Sequence, residues 1–254
     1  MLKRIGASLN RRLKAPRLNR HFNQYRMSIK HGILENSQMK AVHDMSADPY
    51  EPLSHYDAYA YFVQKNLTEK GGANLRILDL GSMKYLNVIN SILHTVTAIV
   101  LKPPSDGISN VDWVVHDVAS KEKLPFQDNS FDVFTSCVSL FLIGLGRYGD
   151  SLNGNAIPEF MNELDRVLTP NAEILVSVQV GKDYLHFNAG WIFSIESWKE
   201  LFGKKWKLDS FVFDLESTPS KTDAKERFTS QMPDLLTGEC KVAHLKFSRV
   251  TSSK

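Results

Sequence analysis

Cysteine is scarce in this chain of 254 residues, which has only Cys137 and Cys240. Two cysteines are too few for a disulfide framework or for a zinc site built from thiolates. This usage favours a reducing compartment, and the position of Cys137 within an apolar run predicts a buried thiol. No other grouping of His, Cys or carboxylate residues has the spacing of metal ligands, so the sequence predicts no metal site.

Long apolar runs are also missing. No window reaches the roughly 18 consecutive apolar residues that a membrane-spanning helix needs, and no apolar signal-peptide core follows the N-terminal charges. We therefore expect a cytoplasmic protein. With 43% hydrophobic and 23% charged residues, the composition is that of a folded globular domain.

Acidic residues are absent from the first 31 positions, where nine of the chain's 31 Lys and Arg residues lie. The other 22 basic residues stand against 28 acidic ones, so the rest of the chain is mildly acidic. Such a body is not expected to bind nucleic acid specifically. On a helix, Leu2, Ile5, Leu9 and Leu13 would form one apolar stripe, which Pro16 interrupts.

Three interpretations of this basic N-terminal arm, residues 1–31, stay open. It is a peripheral helix on an anionic membrane, a transit peptide of the mitochondrial type, or a solvated tail. Residues 32–72 follow as a linker with the turn-rich "ADPYEP" and an N-terminal helix, which Ser54 can cap and the Gly71-Gly72 pair can end.

Strand and helix patterns alternate from residue 73 to residue 254. Apolar strands are predicted at "RILDLG", "VTAIVL", "DWVVHD", around Phe131 and at "AEILVSVQVG", and helices at "YLNVINSILH", "AIPEFMNELDRVL" and "SIESWKELFG". Such strands, separated by helices, indicate a parallel sheet covered on both faces. The segments "WKLDSFVFDLE" and "KVAHLKFSRV" alternate apolar and polar residues and predict an antiparallel pair. The sequence thus predicts a doubly wound α/β domain with a mostly parallel sheet, an antiparallel edge and an N-terminal helical extension.

Three blocks, "ILDLG", "LPFQDNSFDVFTSCVSL" and "ELDRVLTPNAEILVSV", resemble the first, fourth and fifth strand regions of class I S-adenosylmethionine-dependent methyltransferases. The segments "IGLGRYGD" and "FNAGWIFS" resemble an incompletely characterised branch of that family, often associated with polysaccharide gene neighbourhoods. The likeness covers roughly residues 54–216. It implies a Rossmann-like methyltransferase fold that binds S-adenosylmethionine at the carboxyl ends of the strands, where the strand order reverses.

The resemblance also implies roles for individual cofactor-binding residues. Asp79, Gly81 and Ser82 would form the turn beside the methionine part of S-adenosylmethionine. Asp117 would face the adenine, and Val138 would lie on the floor near the sulfonium. His116, just before Asp117, has two interpretations: a half-exposed residue at a strand end, which is favoured, or a catalytic residue.

The "GLGRYGD" loop carries the candidate catalytic residues Arg147, Tyr148 and Asp150. Arg147 would clamp a carboxylate or phosphate, and Asp150 would act as a base or orient a sugar hydroxyl. The alternative is a tight turn in which Arg147 and Asp150 pair locally. His186 and Asn188, after the fifth strand, are candidates for substrate binding, although Asn188 also suits an ordinary turn.

The chain departs from the family pattern at four polar positions. After Gly81, the glycine-rich turn continues as Ser82, Met83 and Lys84. Val100 or Leu101 stands where an acidic side chain would accept from both ribose hydroxyls; Lys102 or Asp106 could compensate. Two polar pairs of the branch, Glu-His and His-Arg, are replaced by Phe141-Leu142 and Gly190-Trp191.

Two functional hypotheses follow from these observations. The first is a methyltransferase acting on a small-molecule or glycan-linked acceptor. The second is a non-catalytic module that binds a partner protein or a sugar through the "GLGRYGD" face. A hollow plugged by Met83, Tyr85 or Leu101 would exclude the first.

Overall fold

The computed structural model describes residues 19–30, 32–41, 54–71, 73–104, 110–213 and 241–250. Its helices are α1 (19–28), α2 (Gly32–Asn36), α3 (Ser54–Lys70), α4 (Lys84–Asn90), α5 (Ala156–Val167) and α6 (Ile195–Phe202). Its strands are β1 (Gln38–Ala41), β2 (Arg76–Leu80), β3 (Thr95–Val100), β4 (Val111–Val115), β5 (Phe131–Cys137), β6 (Leu168–Val180), β7 (Tyr184–Phe187), β8 (Gly190–Ile192), β9 (Trp206–Phe213) and β10 (Lys241–Arg249).

Seven strands form the main sheet in the order β4-β3-β2-β5-β6-β10-β9. The first five strands in this order pair in parallel, whereas β10 runs antiparallel to both β6 and β9. The predicted doubly wound, mostly parallel sheet with an antiparallel edge is therefore confirmed. The strand order reverses at β2 and β5, which is the point where open α/β sheets bind ligands.

Strand β2 shows why helices cover both faces of this sheet. Ile77 packs in a buried cluster with Tyr59 and Leu67 of α3, whereas Leu78 belongs to a second cluster that contains Phe160 of α5. Successive side chains of a strand point to opposite faces. An uninterrupted apolar strand therefore needs a helical layer on each side, and burial of each such side chain contributes about 1.5–3 kcal/mol.

Local signals set the ends of the helices. The hydroxyl of Ser194 caps α6 by accepting a hydrogen bond from the Ser197 N–H at 3.1 Å, and Gly203 ends that helix at a φ of +75°. Helix α4 ends at Asn90 and is therefore shorter than the predicted helix. Ile92 and Leu93, which lie beyond it, are 72% and 55% exposed.

A second, three-stranded sheet corrects the linker prediction. Residues 38–41 form β1, which pairs in parallel with β7, and β7 in turn forms an antiparallel hairpin with β8. Residues 32–41, which were predicted as part of a polar linker, therefore belong to the fold. These strands have only three or four residues each, too few to show a reliable alternation of apolar and polar side chains.

The predicted boundary of the N-terminal arm is also wrong, because α1 belongs to the folded domain. Tyr25 is 1% exposed, and its hydroxyl accepts a hydrogen bond from the Trp191 indole N–H at 2.7 Å. The Ser28 hydroxyl accepts from the Gly154 N–H at 2.6 Å. The spacing of Phe22, Tyr25 and Ile29 is the sequence signal that would have placed this helix against the domain.

Residues 1–18, with the stripe from Leu2 to Leu13, lie outside the described residues. The membrane, transit-peptide and tail interpretations of that segment stay predictions. No helix in the described part of the chain is long and apolar enough to cross a membrane.

Candidate functional site

A cavity of about 390 Å³ lies at the carboxyl ends of β2, β3, β4 and β5. This volume falls in the range of roughly 300–1,000 Å³ that is typical of small-molecule sites. Met83 and Leu101 line the cavity without filling it, and Tyr85 is not among the lining residues. The structure therefore does not show the plugged hollow that would exclude an enzyme. Of the predicted site residues, those that line it are Gly81, Ser82, Asp117, Val138, Tyr148 and Asp150.

The turn after β2 is supported from below by Asp79, which is 1% exposed and is not among the residues that line the cavity. Its carboxylate accepts from the Ser82 N–H at 3.0 Å and the Ser82 hydroxyl at 2.5 Å. It also accepts from the Asn87 amide at 3.0 Å and the Thr135 hydroxyl at 2.7 Å. Burial raises the pKa of Asp79 above its ordinary value, and these hydrogen bonds oppose that shift. Asp79 thus holds the turn in place from beneath it.

Gly81 is the residue that brings this turn close to the strand β5 side of the cavity. Its φ is +64°, and a Cβ at this position would lie 2.8 Å from the Ser139 hydroxyl oxygen. That hydroxyl donates to the Gly81 carbonyl oxygen at 2.8 Å, so the turns after β2 and β5 are joined directly. Only glycine combines this backbone conformation with so close an approach.

Val138 forms part of the cavity floor in a strained conformation. Its φ is +48°, in a region that β-branched residues rarely adopt. Its N–H donates to the Ser177 carbonyl oxygen of β6 at 3.0 Å, which holds the backbone in this position. Strain of this kind costs about 1–3 kcal/mol and tends to occur at ligand sites.

Asp117, at the carboxyl end of β4, is engaged by two parts of the chain. One carboxylate oxygen accepts from the Ala119 N–H at 2.9 Å. The other accepts from the N–H and the hydroxyl of Ser151 at 2.8 and 2.7 Å. Asp117 therefore both lines the cavity and ties the end of the "GLGRYGD" loop to β4.

The wall after β3 is apolar. Val100 and Leu101 line the cavity at the position where the family pattern has an acidic side chain. Of the two residues that could compensate, Lys102 is exposed and is not a lining residue, and Asp106 lies outside the described residues.

The "GLGRYGD" loop, residues 144–150, folds around its own aspartate. The Asp150 carboxylate accepts from the Gly144 N–H at 2.7 Å and from the Tyr148 N–H at 3.3 Å. The Arg147 guanidinium lies 5.1 Å from the centre of the Tyr148 ring, an arrangement suited to a cation–π contact. Arg147 is not a lining residue, and its nearest described hydrogen-bond acceptor is the Ala189 carbonyl oxygen at 3.5 Å. The predicted local pairing of Arg147 with Asp150 is absent from the described ion pairs.

Tyr56 of α3 lines the cavity, although it is not among the predicted site residues. Burial and the neighbouring Cys137 raise the pKa of its phenol, and the positive charge of Arg147 opposes that shift. Helix α3 therefore brings Tyr56 to the cavity on the side where Tyr148 and Arg147 lie. No local motif marks this residue, because the contact joins segments about 90 positions apart.

His186 and Asn188 are not brought into the cavity. His186 lies on β7, where its ring meets Tyr184 edge-on at 4.6 Å, and Asn188 forms the turn to β8 with a φ of +72°. Neither is a lining residue. The turn alternative for Asn188 agrees with this geometry, and the substrate role of both residues remains a prediction.

Phe141-Leu142 and Gly190-Trp191, the two positions at which the resemblance implied polar pairs, lie against each other. A Cβ added to Gly190 would lie 2.4 Å from the Phe141 ring and 3.1 Å from a Leu142 methyl group. Trp191 is fully buried and stacks on Phe193 at 5.1 Å. An apolar contact thus joins these two positions. Within the described ranges, no group of His, Cys, Asp or Glu could hold a metal ion.

Comparison with known proteins agrees with this architecture. Residues 78–176 match the family model of a methyltransferase domain. No curated protein matches the chain in sequence. The matched range of the methyltransferase domain runs from β2 to β6 and includes the turns after β2 and β5, Asp117 and the "GLGRYGD" loop.

Solved structures share the fold of the methyltransferase domain at low sequence identity. The YcgJ protein of Bacillus subtilis is 14% identical, with a TM-score of 0.53 over 78% of this chain and 100% of its own. A 1,6-didemethyltoxoflavin-N1-methyltransferase of Burkholderia thailandensis, solved with S-adenosylhomocysteine, is 14% identical (TM-score 0.54; 78% and 84% covered). The N-methyltransferase NodS of Bradyrhizobium japonicum, also solved with S-adenosylhomocysteine, is 11% identical (TM-score 0.52; 91% and 99% covered). The chain has a Rossmann-like methyltransferase fold.

Proposed function

We propose that this protein binds S-adenosylmethionine and transfers its methyl group to a small-molecule or glycan-linked acceptor. The observation that supports the proposal most directly is the cavity at the reversal of strand order, bounded by the Gly81 turn, Val138 and Asp117. The matching methyltransferase domain spans those same residues.

The residues present fit the two ends of S-adenosylmethionine better than its middle. The Gly81 turn admits a ligand close to the backbone, since any side chain there would meet Ser139. At the other end, the Asp117 oxygen that accepts from Ala119 has a second lone pair, which would accept from an adenine amine. Between them the wall is Val100 and Leu101, which offer no hydrogen bond to a ribose.

The acceptor would be oriented by residues at the rim on the α3 side. S-adenosylmethionine, when bound, supplies a methyl group on a positively charged sulfur. Tyr56, Tyr148 and Asp150 line the cavity, and Asp150 would take a proton from the acceptor. Methyl transfer depends mainly on aligning the nucleophile with the methyl carbon, so one carboxylate base suffices for this assignment.

The test of cofactor binding is calorimetric titration with S-adenosylmethionine and S-adenosylhomocysteine up to millimolar concentration. We expect heat and a thermal shift with the wild-type protein and neither with Gly81→Arg. Gly203→Arg is the matched control, because Gly203 has a similar φ of +75° and open space around its Cβ position. If Gly81→Arg binds as well as the wild type, the pocket is wrongly placed.

The test of transfer uses tritium-labelled S-adenosylmethionine with a sugar-containing small-molecule extract. We expect label in the non-protein fraction, reduced roughly 10²- to 10⁴-fold by Asp150→Asn, since that change removes the base. Ligand binding must stay unchanged in this variant for the loss to be assigned to catalysis.

A second candidate, a non-catalytic module that binds a partner protein or a sugar, is favoured by one specific observation. The contact of Phe141 and Leu142 with Gly190 replaces polar groups with packed apolar ones. Absence of heat with both nucleosides, together with absence of labelled product, would favour this candidate over the methyltransferase.

A further inference from the structure

Val100 lies between the Gly81 turn and Asp117, beneath the position that the middle of a bound nucleoside would take. On one side, Leu80 pairs with Ile99, and the Gly81 N–H donates to the Ile99 carbonyl oxygen at 3.3 Å. On the other side, Val100 pairs with Val115, and the His116 N–H donates to the Val100 carbonyl oxygen at 3.1 Å. A ligand that reaches from the Gly81 turn to Asp117 must therefore place its middle part over Val100.

Among the described residues, the polar side chains of Ser82, Ser139 and Asp117, which line the cavity around this point, are already engaged within the protein. The Ser82 hydroxyl donates to Asp79 and accepts from the Cys137 N–H at 2.9 Å. The Ser139 hydroxyl donates to the Gly81 carbonyl oxygen, and both Asp117 oxygens accept from Ala119 or Ser151. His116 also lines the cavity, and its Nε2 atom is buried without a hydrogen-bond partner among the described residues, so this atom is not exposed to the cavity space.

Leu101 completes this wall and is 38% exposed, so the wall opens towards solvent. Hydroxyl groups placed there would keep water as their partner and lose no hydrogen bond on binding. A site that hydrogen-bonds a substrate hydroxyl discriminates strongly against an analogue that lacks this hydroxyl, because the polar groups of the site are then left unpaired. Val100 and Leu101 have no polar side-chain group that could be left unpaired in this way.

We infer that the cavity binds adenosyl ligands without forming hydrogen bonds to their ribose hydroxyls. Its ligand class therefore includes nucleosides altered at the 2′ and 3′ positions. Val100 and Leu101 are the residues that determine this specificity. The inference rests on the proposed function, since it assumes that the nucleoside lies in this cavity.

The experiment compares S-adenosylhomocysteine with its 2′-deoxy analogue by calorimetry. For the wild type we expect the two dissociation constants to agree within about threefold, which corresponds to less than one hydrogen bond. A loss of more than tenfold for the deoxy analogue would overturn the inference while leaving the proposed function intact.

Variants that restore an acceptor make the test stronger. Val100→Glu is expected to tighten S-adenosylhomocysteine about tenfold and to leave the deoxy analogue unchanged, because the new carboxylate bonds the ribose. Leu101→Glu serves if Val100→Glu does not fold, since Leu101 is partly exposed and tolerates a charge. Val115→Glu is the control, because Val115 is 58% exposed at the end of β4 and does not line the cavity.

Failure of the inference and failure of the proposed function give different results. If the wild type binds neither ligand, both the proposed function and this inference are overturned. This holds even if Val100→Glu or Leu101→Glu gains binding that needs the 2′-hydroxyl, since such a gain would describe the variants only. Equal tightening by Val115→Glu would show a general effect of charge and would also overturn the inference.

Discussion

The turn after β2 and the wall after β3 end neighbouring parallel strands and face the same cavity, yet they differ in chemistry. The first is held by a buried carboxylate with four hydrogen bonds and by a glycine in contact with the next turn. The second presents Val100 and Leu101. The backbone shape of a ligand site and its polar contacts are therefore separable, because the first depends on buried interactions and the second on side chains at the cavity surface.

Removal of the Asp79 carboxylate should have the largest effect on this comparison. Asp79→Ala leaves the buried donors of Ser82, Asn87 and Thr135 without their acceptor, and we expect a loss of about 3 kcal/mol in the free energy of unfolding. Urea denaturation measures it. Asp112→Ala, an exposed position on β4, is the control and should change stability by at most about 0.5 kcal/mol. Equal costs for both variants would mean that the turn is not held by Asp79.

A smaller effect, about 2 kcal/mol, is expected from Gly81→Ala. The added methyl group would meet the Ser139 side chain, and alanine would have to adopt the left-handed backbone conformation of this position. Gly203→Ala, with a similar φ and open space, should show only the conformational part, about 1 kcal/mol. Introducing Ser139→Gly into the Gly81→Ala protein should recover the difference. If it does not, steric contact with Ser139 is not the reason for the glycine.

The pH dependence of the Asp79 contribution follows from the direction of its pKa shift. Because burial raises the pKa of Asp79 in the folded state, the folded protein binds this proton more tightly than the unfolded chain does. The stabilisation is fully present below the unfolded pKa of about 3.9 and is lost as pH rises through the folded value. The cost of Asp79→Asn should therefore be larger near pH 4 than at pH 7 in urea titrations. A cost that grows with pH would show that the hydrogen bonds outweigh burial.

The sequence was sufficient to predict the main sheet because its central strands are apolar and alternate with helices. The strands around Ile77, Ala98 and Val133 are buried on both faces, and the helix patterns between them fix the alternation. The small sheet was missed because β1 and β7 are short and pair across almost 150 positions. The bond between Asp117 and Ser151 joins residues 34 positions apart and has no local pattern.

The candidate site was predictable where backbone geometry requires a residue type and less so elsewhere. Gly81 and the glycines of the "GLGRYGD" loop lie in turns that require a positive φ. These glycines therefore indicated two sides of the cavity in the sequence. Tyr56 and the contact between Phe141 and Gly190 result from packing between distant segments, which composition and spacing do not encode. His186 and Asn188 were placed near the cavity from their position after β6, whereas the chain turns into the small sheet at that point.

The smallest effect is expected at Val138, where two contributions oppose each other. Val138→Gly removes an apolar side chain that packs against both buried clusters, but it also releases a β-branched residue from a φ of +48°. Relief of about 1–3 kcal/mol of strain should offset the lost burial, so the net change in unfolding free energy should be about zero. Val118→Gly is the matched control, because Val118 also lines the cavity and is partly buried but has no positive φ. It should cost about 1–2 kcal/mol. A cost for Val138→Gly as large as that for Val118→Gly would mean that the backbone at Val138 stores no strain. Among the described residues, the comparison with the apolar wall after β3 would then depend on the polar turn after β2 alone.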